Sequence, residues 1–378
     1  MKLLHRYIFL SVATTSFAAV GVLAFVLVVG NLLRDLLGWV LAGQIPPDIF
    51  LDLVGKTMIS VLPYALPFGV LTGVLLVLGR MSADREITAI RASGVSVAGI
   101  SAPIFFFALL GTGVSMAVNF YYMPRAKVAY ETELSDAIRS NPLSFIVPKT
   151  FIRDFPGKVI YVGEKRGAEV EDFWGWELDK QNRVVRSARA QSGRITYDEA
   201  RNVLVLTLNH VKAEAHDPKD PEDPNQVHGG ASSDQLTLDL SLERITGHQQ
   251  VRVKLKWYTF DQLLAEWRRL GQPDPKLPAG ERFKQRIRVQ TAIQEKFATA
   301  FSVLAFALIA IPLGIKVSRK ETSANFGVAL VLAMAYYSLT VLVNWCDTHP
   351  EWRPDLLMWL PNIGFQGLGA WLFYKVDR

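Results

Sequence analysis

The chain has 378 residues, 50% of them hydrophobic and 20% charged, with a formal net charge of +6 and one cysteine. A lone cysteine excludes an intrachain disulfide framework and a cysteine-built metal cluster. The positive balance comes without a basic tract interleaved with aromatics, so it points to membrane topology and lipid-surface contact, not to nucleic acid.

The first element is an uncharged stretch of 27 residues, 7–33, bounded by Arg6 and Arg34. About 20 apolar residues cross a hydrocarbon core of roughly 30 Å, so this run predicts a membrane-spanning helix. It is too long for a signal peptide, and no small-x-small cleavage site precedes a polar start, so it is expected to be a retained span. The second uncharged run, 57–79, lies between Lys56 and Arg80 and holds Pro63 and Pro67, which remove donors and predict a kink.

Between the second and third runs lies Arg80-Met81-Ser82-Ala83-Asp84-Arg85-Glu86-Ile87-Thr88-Ala89-Ile90-Arg91-Ala92-Ser93-Gly94. It predicts a short helix over about 82–93, with Ser82 as cap, Asp84 and Glu86 in the first turn and Gly94 at the stop. Ala83, Ile87 and Ile90 share one face, and Asp84, Arg85, Glu86 and Arg91 occupy the others. Such a helix either lies on the membrane as a connector or docks into a partner and passes on its motion.

The third run, 92–124, ends at Arg125 and, like the first, exceeds the core thickness, so both are expected to tilt or extend into water. From 125 to 292 the character changes to an all-β pattern. Short β-rich stretches appear at Phe145–Val147, Val159–Gly163, Phe173–Leu178, Val184–Ala190, Arg194–Tyr197, Val203–Leu208 and Leu236–Leu240. Turn residues such as Asp154-Phe155-Pro156-Gly157 and Asp179-Lys180-Gln181-Asn182 punctuate them, as in a sandwich or jelly roll. His216–Ser233 reads as a loop, and Gly271–Arg282 as a polar linker back to the membrane.

Three more uncharged runs follow, 297–315, 322–346 and 356–374, which makes six expected spans, 1–124 before the insert and 293–378 after it. Cys346 is expected as a small packed apolar residue near a helix end. With the N-terminus inside, segments 1–6, 80–91, 316–320 and 375–378 carry ten Lys or Arg, against three (Arg34, Lys56, Arg353) in the short outer loops. That asymmetry predicts both termini in the cytoplasm and the insert outside.

The chain has no Gly-rich phosphate loop, no His-Glu-x-x-His, no Gly-x-Ser-x-Gly and no Cys/His cluster, so no catalytic or metal site is expected. His210, His216, His228 and His248 are scattered through the insert. The six runs hold no Asp, Glu, Lys, Arg or His, whereas proton- or ion-coupled transport needs a buried ionisable relay. Energy for any transport would then come from another chain.

Leu78-Gly79-Arg80 through Ser93-Gly94, together with Ile311-Pro312-Leu313-Gly314, Ser318-Arg319-Lys320-Glu321 and Asn325-Phe326-Gly327, resembles LptF/LptG-type permeases, and the resemblance spans the whole chain. Gln44-Ile45-Pro46-Pro47 leans toward the LptF side of the family. The resemblance implies half of an ABC transporter in the bacterial inner membrane. Such a half pairs with a paralogous permease and binds a separate ATPase dimer. It extracts lipopolysaccharide and passes it to a periplasmic β-jellyroll bridge. No cofactor is expected in this chain, ATP being used by the partner.

Glu86 matches the family's coupling-helix glutamate, and Asp84, Arg85, Ile87, Ile90 and Arg91 form the rest of the expected ATPase contact. Arg34, Lys56, Arg288 and Lys296, with Arg282, Lys284 and Arg286 nearby, are the expected basic rim for sugar phosphates. Glu295-Lys296-Phe297-Ala298 departs from the His/Arg and Pro pattern common at that place in the family. Two other classes stay open on the residues alone. A membrane-bound lipid-modifying enzyme would need a polar catalytic cluster, and a passive scaffold displaying a β domain would need one or two spans.

Overall fold

The computed structural model describes the chain except residues 1, 42–44, 141, 154, 156, 180, 199–200, 202, 217–226, 242–252, 274–277, 317–321, 346–351 and 378. Side chains at 31–36, 38–39, 41, 138–139, 144–145, 216, 227–229, 322–324 and 377 are likewise outside the description. Two compact units emerge, one of Met1–Leu32, Gly55–Val128 and Val253–Arg378, the other of Leu33–Val54 and Ala129–Arg252.

The first unit is helical. Its elements are α1 (Lys2–Leu41), α2 (Pro47–Ala83), α3 (Glu86–Ala92), α4 (Val97–Ala117), α5 (Met123–Ser140), α6 (Phe260–Arg269), α7 (Ala279–Lys316), α8 (Thr322–Trp345), α9 (Pro354–Leu357) and α10 (Leu360–Asp377), of which α1, α2 and α5 continue into the other unit. Five stretches are long and apolar enough to cross a membrane: Lys2–Gly30, Pro47–Ala83, Val97–Ala137, Ala279–Lys316 and Asn325–Trp345. The expected sixth run is divided between α9 and α10, and α10 carries Pro361, Asn362 and Gln366, so it is not among the five. Cys346 lies outside the described residues.

Lipid tails offer no hydrophobic force to drive helices together, so close packing does it. Gly69 and Gly73 of α2 sit directly on Val20 and Ser16 of α1, where a Cβ on either glycine has no room. Gly314 of α7 meets the Leu78 side chain of α2, and Gly369 of α10 abuts the α7 backbone at Ile309. The core joins Leu71, Leu75 and Leu78 of α2 to Ile104 of α4 and Phe306 of α7, all buried. At its heart the rings of Phe306, Tyr336 and Phe365 meet edge to face at 4.9–5.7 Å.

The expected kink positions Pro63 and Pro67 lie inside the continuous helix α2. A π-helical turn, Val118–Tyr122, interrupts the passage from α4 to α5. Residues 125–140, expected within the β region, are helical instead, as part of α5. Their Ala, Glu, Lys and Arg content favours a helix, and only Val128 and Thr132 add β-branching before Ile138. The expected linker is also partly helical, since α7 already starts at Ala279 and takes Arg282–Arg288 into its first turns.

In the second unit, β1 (Phe151–Ile152), β2 (Lys158–Arg166), β3 (Glu169–Leu178), β4 (Val184–Asp198), β5 (Val203–His216) and β6 (Val227–Ser241) form one antiparallel sheet in consecutive order. The topology of the described strands is therefore a meander, with no jelly-roll crossover among them. Ile160, Val162, Phe173, Ala190, Leu206 and Leu208 are buried in its core. The stretches Val184–Ala190 and Arg194–Tyr197 belong to one 15-residue strand, β4, and Phe145 ends a 3-10 turn, Pro142–Phe145.

The expected loop His216–Ser233 is corrected in part. Residues 227–233 belong to β6, with Ala231 opposite Ala213 and Ser233 opposite Val211, while 217–226 lie outside the described residues. Small residues that read as loop are held here by ladder bonds to β5. Of the expected β3–β4 turn, Asp179, Gln181 and Asn182 are described and Lys180 lies outside the described residues. Asp179 Oδ1 accepts from the backbone N–H groups of Gln181 and Arg183 at 2.8 and 2.9 Å, and Asn182 takes φ 62°.

Candidate functional site

The charged connector forms a short helix, but it begins at Glu86. Ser82 is not its cap. α2 continues to Ala83, and the Ser82 hydroxyl donates to the carbonyl of Ile315 in α7 at 2.8 Å. Arg85 reverses the chain in the left-handed region (φ 60°), and Gly94 (φ 88°) ends the helix with its N–H on the carbonyl of Arg91. Ile87 is buried and Ile90 half-buried on the helical core, which fixes the orientation of α3. Asp84, Arg85 and Arg91 are exposed on the other side. Glu86 is half-buried and accepts from the Tyr7 hydroxyl at 3.4 Å, and Arg80 reaches that hydroxyl at 3.5 Å. The start of α1, the ends of α2 and α7, and α3 thus meet at one end of the unit.

Along α1, α2 and α8 lies an apolar cavity of about 770 Å³. Leu27, Tyr64, Phe68, Met334, Tyr337 and Val341 are among its walls. It lies beside the least covered helices of the unit. Phe17, Phe25, Val331, Met334 and Trp345 are each more than half exposed, an apolar surface that water would not tolerate. Polar groups link the neighbouring helices, buried at Tyr336 and Asn362 and exposed at Tyr64. Tyr336 donates to Asn362 Oδ1 at 3.0 Å, Asn362 donates to the Ala298 carbonyl at 2.7 Å, and Tyr337 donates to the Tyr64 carbonyl at 2.9 Å.

The residues of the expected basic rim differ in their surroundings. Lys56 is half-buried near the start of α2 and Arg288 is exposed on α7. Lys296 is only 5% exposed, and its ammonium donates to the carbonyls of Asn119 and Lys256 at 3.0 and 3.3 Å. Arg34 falls in α1, but its side chain lies outside the described residues.

The β unit has a hollow of its own, about 340 Å³. Gly175, Ala188, Ala213 and Ala231 pair in register across β3, β4, β5 and β6, and this row of small residues lines it. Lys158, Glu177 and Arg186 stand among its lining residues. Among the described residues no group of three His, Cys, Asp or Glu side chains is placed to hold a metal ion.

The cavity walls and the Tyr336–Asn362 chain were not singled out in the sequence. Asn362 inside an apolar run was the available signal, since a buried amide needs partners.

Several helices able to cross a membrane, with an apolar cavity among them, and an antiparallel β unit define a multi-span membrane protein with a β domain. Residues 6–375 match the family described as "Lipopolysaccharide export system permease LptF/LptG". Among curated proteins, the lipopolysaccharide export system permease proteins LptF of Escherichia coli K12, of Escherichia coli O157:H7 and of Shigella flexneri are similar to this chain. Each is 22% identical over 368 residues, covering 96% of this chain and 92% of the relative. The chain belongs to the LptF/LptG family of lipopolysaccharide export permeases.

Proposed function

We propose that this chain is one permease half of an ABC transporter, which takes lipopolysaccharide from the bacterial inner membrane and passes it to a periplasmic β-jellyroll bridge. A separate ATPase drives it, and the chain needs no cofactor of its own. In this reading α10 is the sixth span, both termini are cytoplasmic and the β unit is periplasmic. The exposed apolar surfaces of α1 and α8 face the paralogous permease. The cavity beside them takes acyl chains, and Lys56, Arg288 and Arg34 are cations for the sugar phosphates. In the β unit, β6, at the end of the sheet, offers an edge for strand addition by the bridge.

The observation that carries this reading is α3. Ile87 and Ile90 hold it to the bundle while Asp84, Arg85 and Arg91 face outward, with Glu86 at the rim. A mere surface connector has no reason to hold a charged face rigidly on a packed core. In the assembled complex, Glu86→Ala and Glu86→Arg are expected to lose ATPase association or to uncouple hydrolysis from lipid release, with the spans still inserted. Survival of both association and release in both variants would reduce α3 to a connector.

A further inference from the structure

The chain leaves the helical unit through the π turn Val118–Tyr122 and α5, and returns to it at Val253–Tyr258. Both crossings converge on α7 at Glu295 and Lys296. The Lys296 ammonium donates to the Asn119 carbonyl in the π turn and to the Lys256 carbonyl in the 3-10 turn Leu255–Trp257. Glu295 pairs with the Lys256 side chain at 3.1 Å. Phe120 stacks on Phe260 at 4.9 Å, and Phe297 meets Phe120 edge-on at 4.8 Å. Lys127 lies over the Trp257 ring at 5.9 Å.

A π turn disturbs the i→i+4 ladder, and such turns occur mostly at functional positions. A buried ammonium in turn needs acceptors, and none of the groups it bonds here is an acid. The two needs answer each other.

We propose that Lys296 is a positioning residue, whose ammonium ties the outgoing π turn and the returning 3-10 turn to α7 and so holds the two crossings of the chain in a fixed setting. The proposal goes beyond the transport reading, and only its last test rests on that reading.

The test uses the full chain in lipid nanodiscs. In Lys296→Met, amide hydrogen exchange at 118–124 and at 255–260 is expected to rise at least about tenfold, the effect of losing one charge-assisted hydrogen bond. Protection over 300–312 should stay, and Lys284→Met, an exposed cation on the same helix, should change neither segment. Unchanged exchange at both segments in Lys296→Met overturns the proposal. A measurement on the unmutated chain covers the case in which that variant does not fold. Reductive methylation should modify Lys284 and leave Lys296 untouched, and equal modification of the two overturns the proposal. In the assembled transporter, Lys296→Met should retain ATP hydrolysis and lose lipid handover several-fold, with partial rescue by Lys296→Arg. Loosened segments with undiminished handover would make the residue structural only. If no handover is seen even in the unmutated complex, the transport reading fails and the exchange and methylation arms still decide the knot.

Discussion

Asp179 shows how one side chain organises a turn. Its carboxylate accepts two backbone N–H groups and the Arg183 guanidinium, and the backbone N–H of Arg183 is the first cause holding its pKa below the usual carboxylate range. A depressed folded pKa means that the stabilisation is complete above the unfolded value of about 3.9 and is lost as pH falls through the folded value. Asp179→Ala should therefore lower the thermal stability of the β unit at neutral pH, and the deficit relative to the unmutated chain should shrink on acidification. A deficit independent of pH would contradict this assignment. Asp179 was legible in the sequence because an Asx turn needs only neighbouring residues. Lys296 was not. A lysine just before an apolar run reads as an interfacial anchor, and only the fold brings Asn119 and Lys256 to it from 177 and 40 positions away. Ser82 misled for a related reason. Its hydroxyl found a carbonyl 233 positions away, which no local capping rule anticipates.

Helices were legible where one period dominated. Five of the uncharged runs overlap stretches able to cross a membrane, and two of them, 57–79 and 297–315, lie wholly within one. Less legible were the places where composition and pairing disagree. Residues 227–233 look like loop but are strand because β5 supplies the ladder, and 125–140 sit in a β-rich region but continue a helix. How tightly elements approach was not legible at all. Gly69 and Gly73 are ordinary glycines in an apolar run until α1 is laid on them. Gly73→Ile should force α1 and α2 apart and cost about 1–3 kcal/mol by overpacking. Gly113→Ile, at a site with open space within 4 Å, should be nearly neutral. Thermal unfolding in detergent separates the two, and equal shifts would mean that the α1–α2 contact is looser than described.

For the whole molecule, the physical logic joins three features. The uncharged runs offer no ionisable relay, in keeping with the proposal that a partner supplies the work. α3 is a charged helix seated on the core, where a partner's motion would be felt. The cavity between α1, α2 and α8 is apolar and borders exposed apolar helices, where a lipid tail would be accepted. We propose that this cavity holds the glycolipid on its way out. A photoreactive side chain at position 334, on the cavity wall in α8, tests it most directly in the full complex in native membrane lipid. Illumination should capture lipopolysaccharide in the absence of ATP, with capture falling after turnover. No capture at 334, or capture of ordinary glycerophospholipid in proportion to its abundance and indifferent to ATP, would contradict the account.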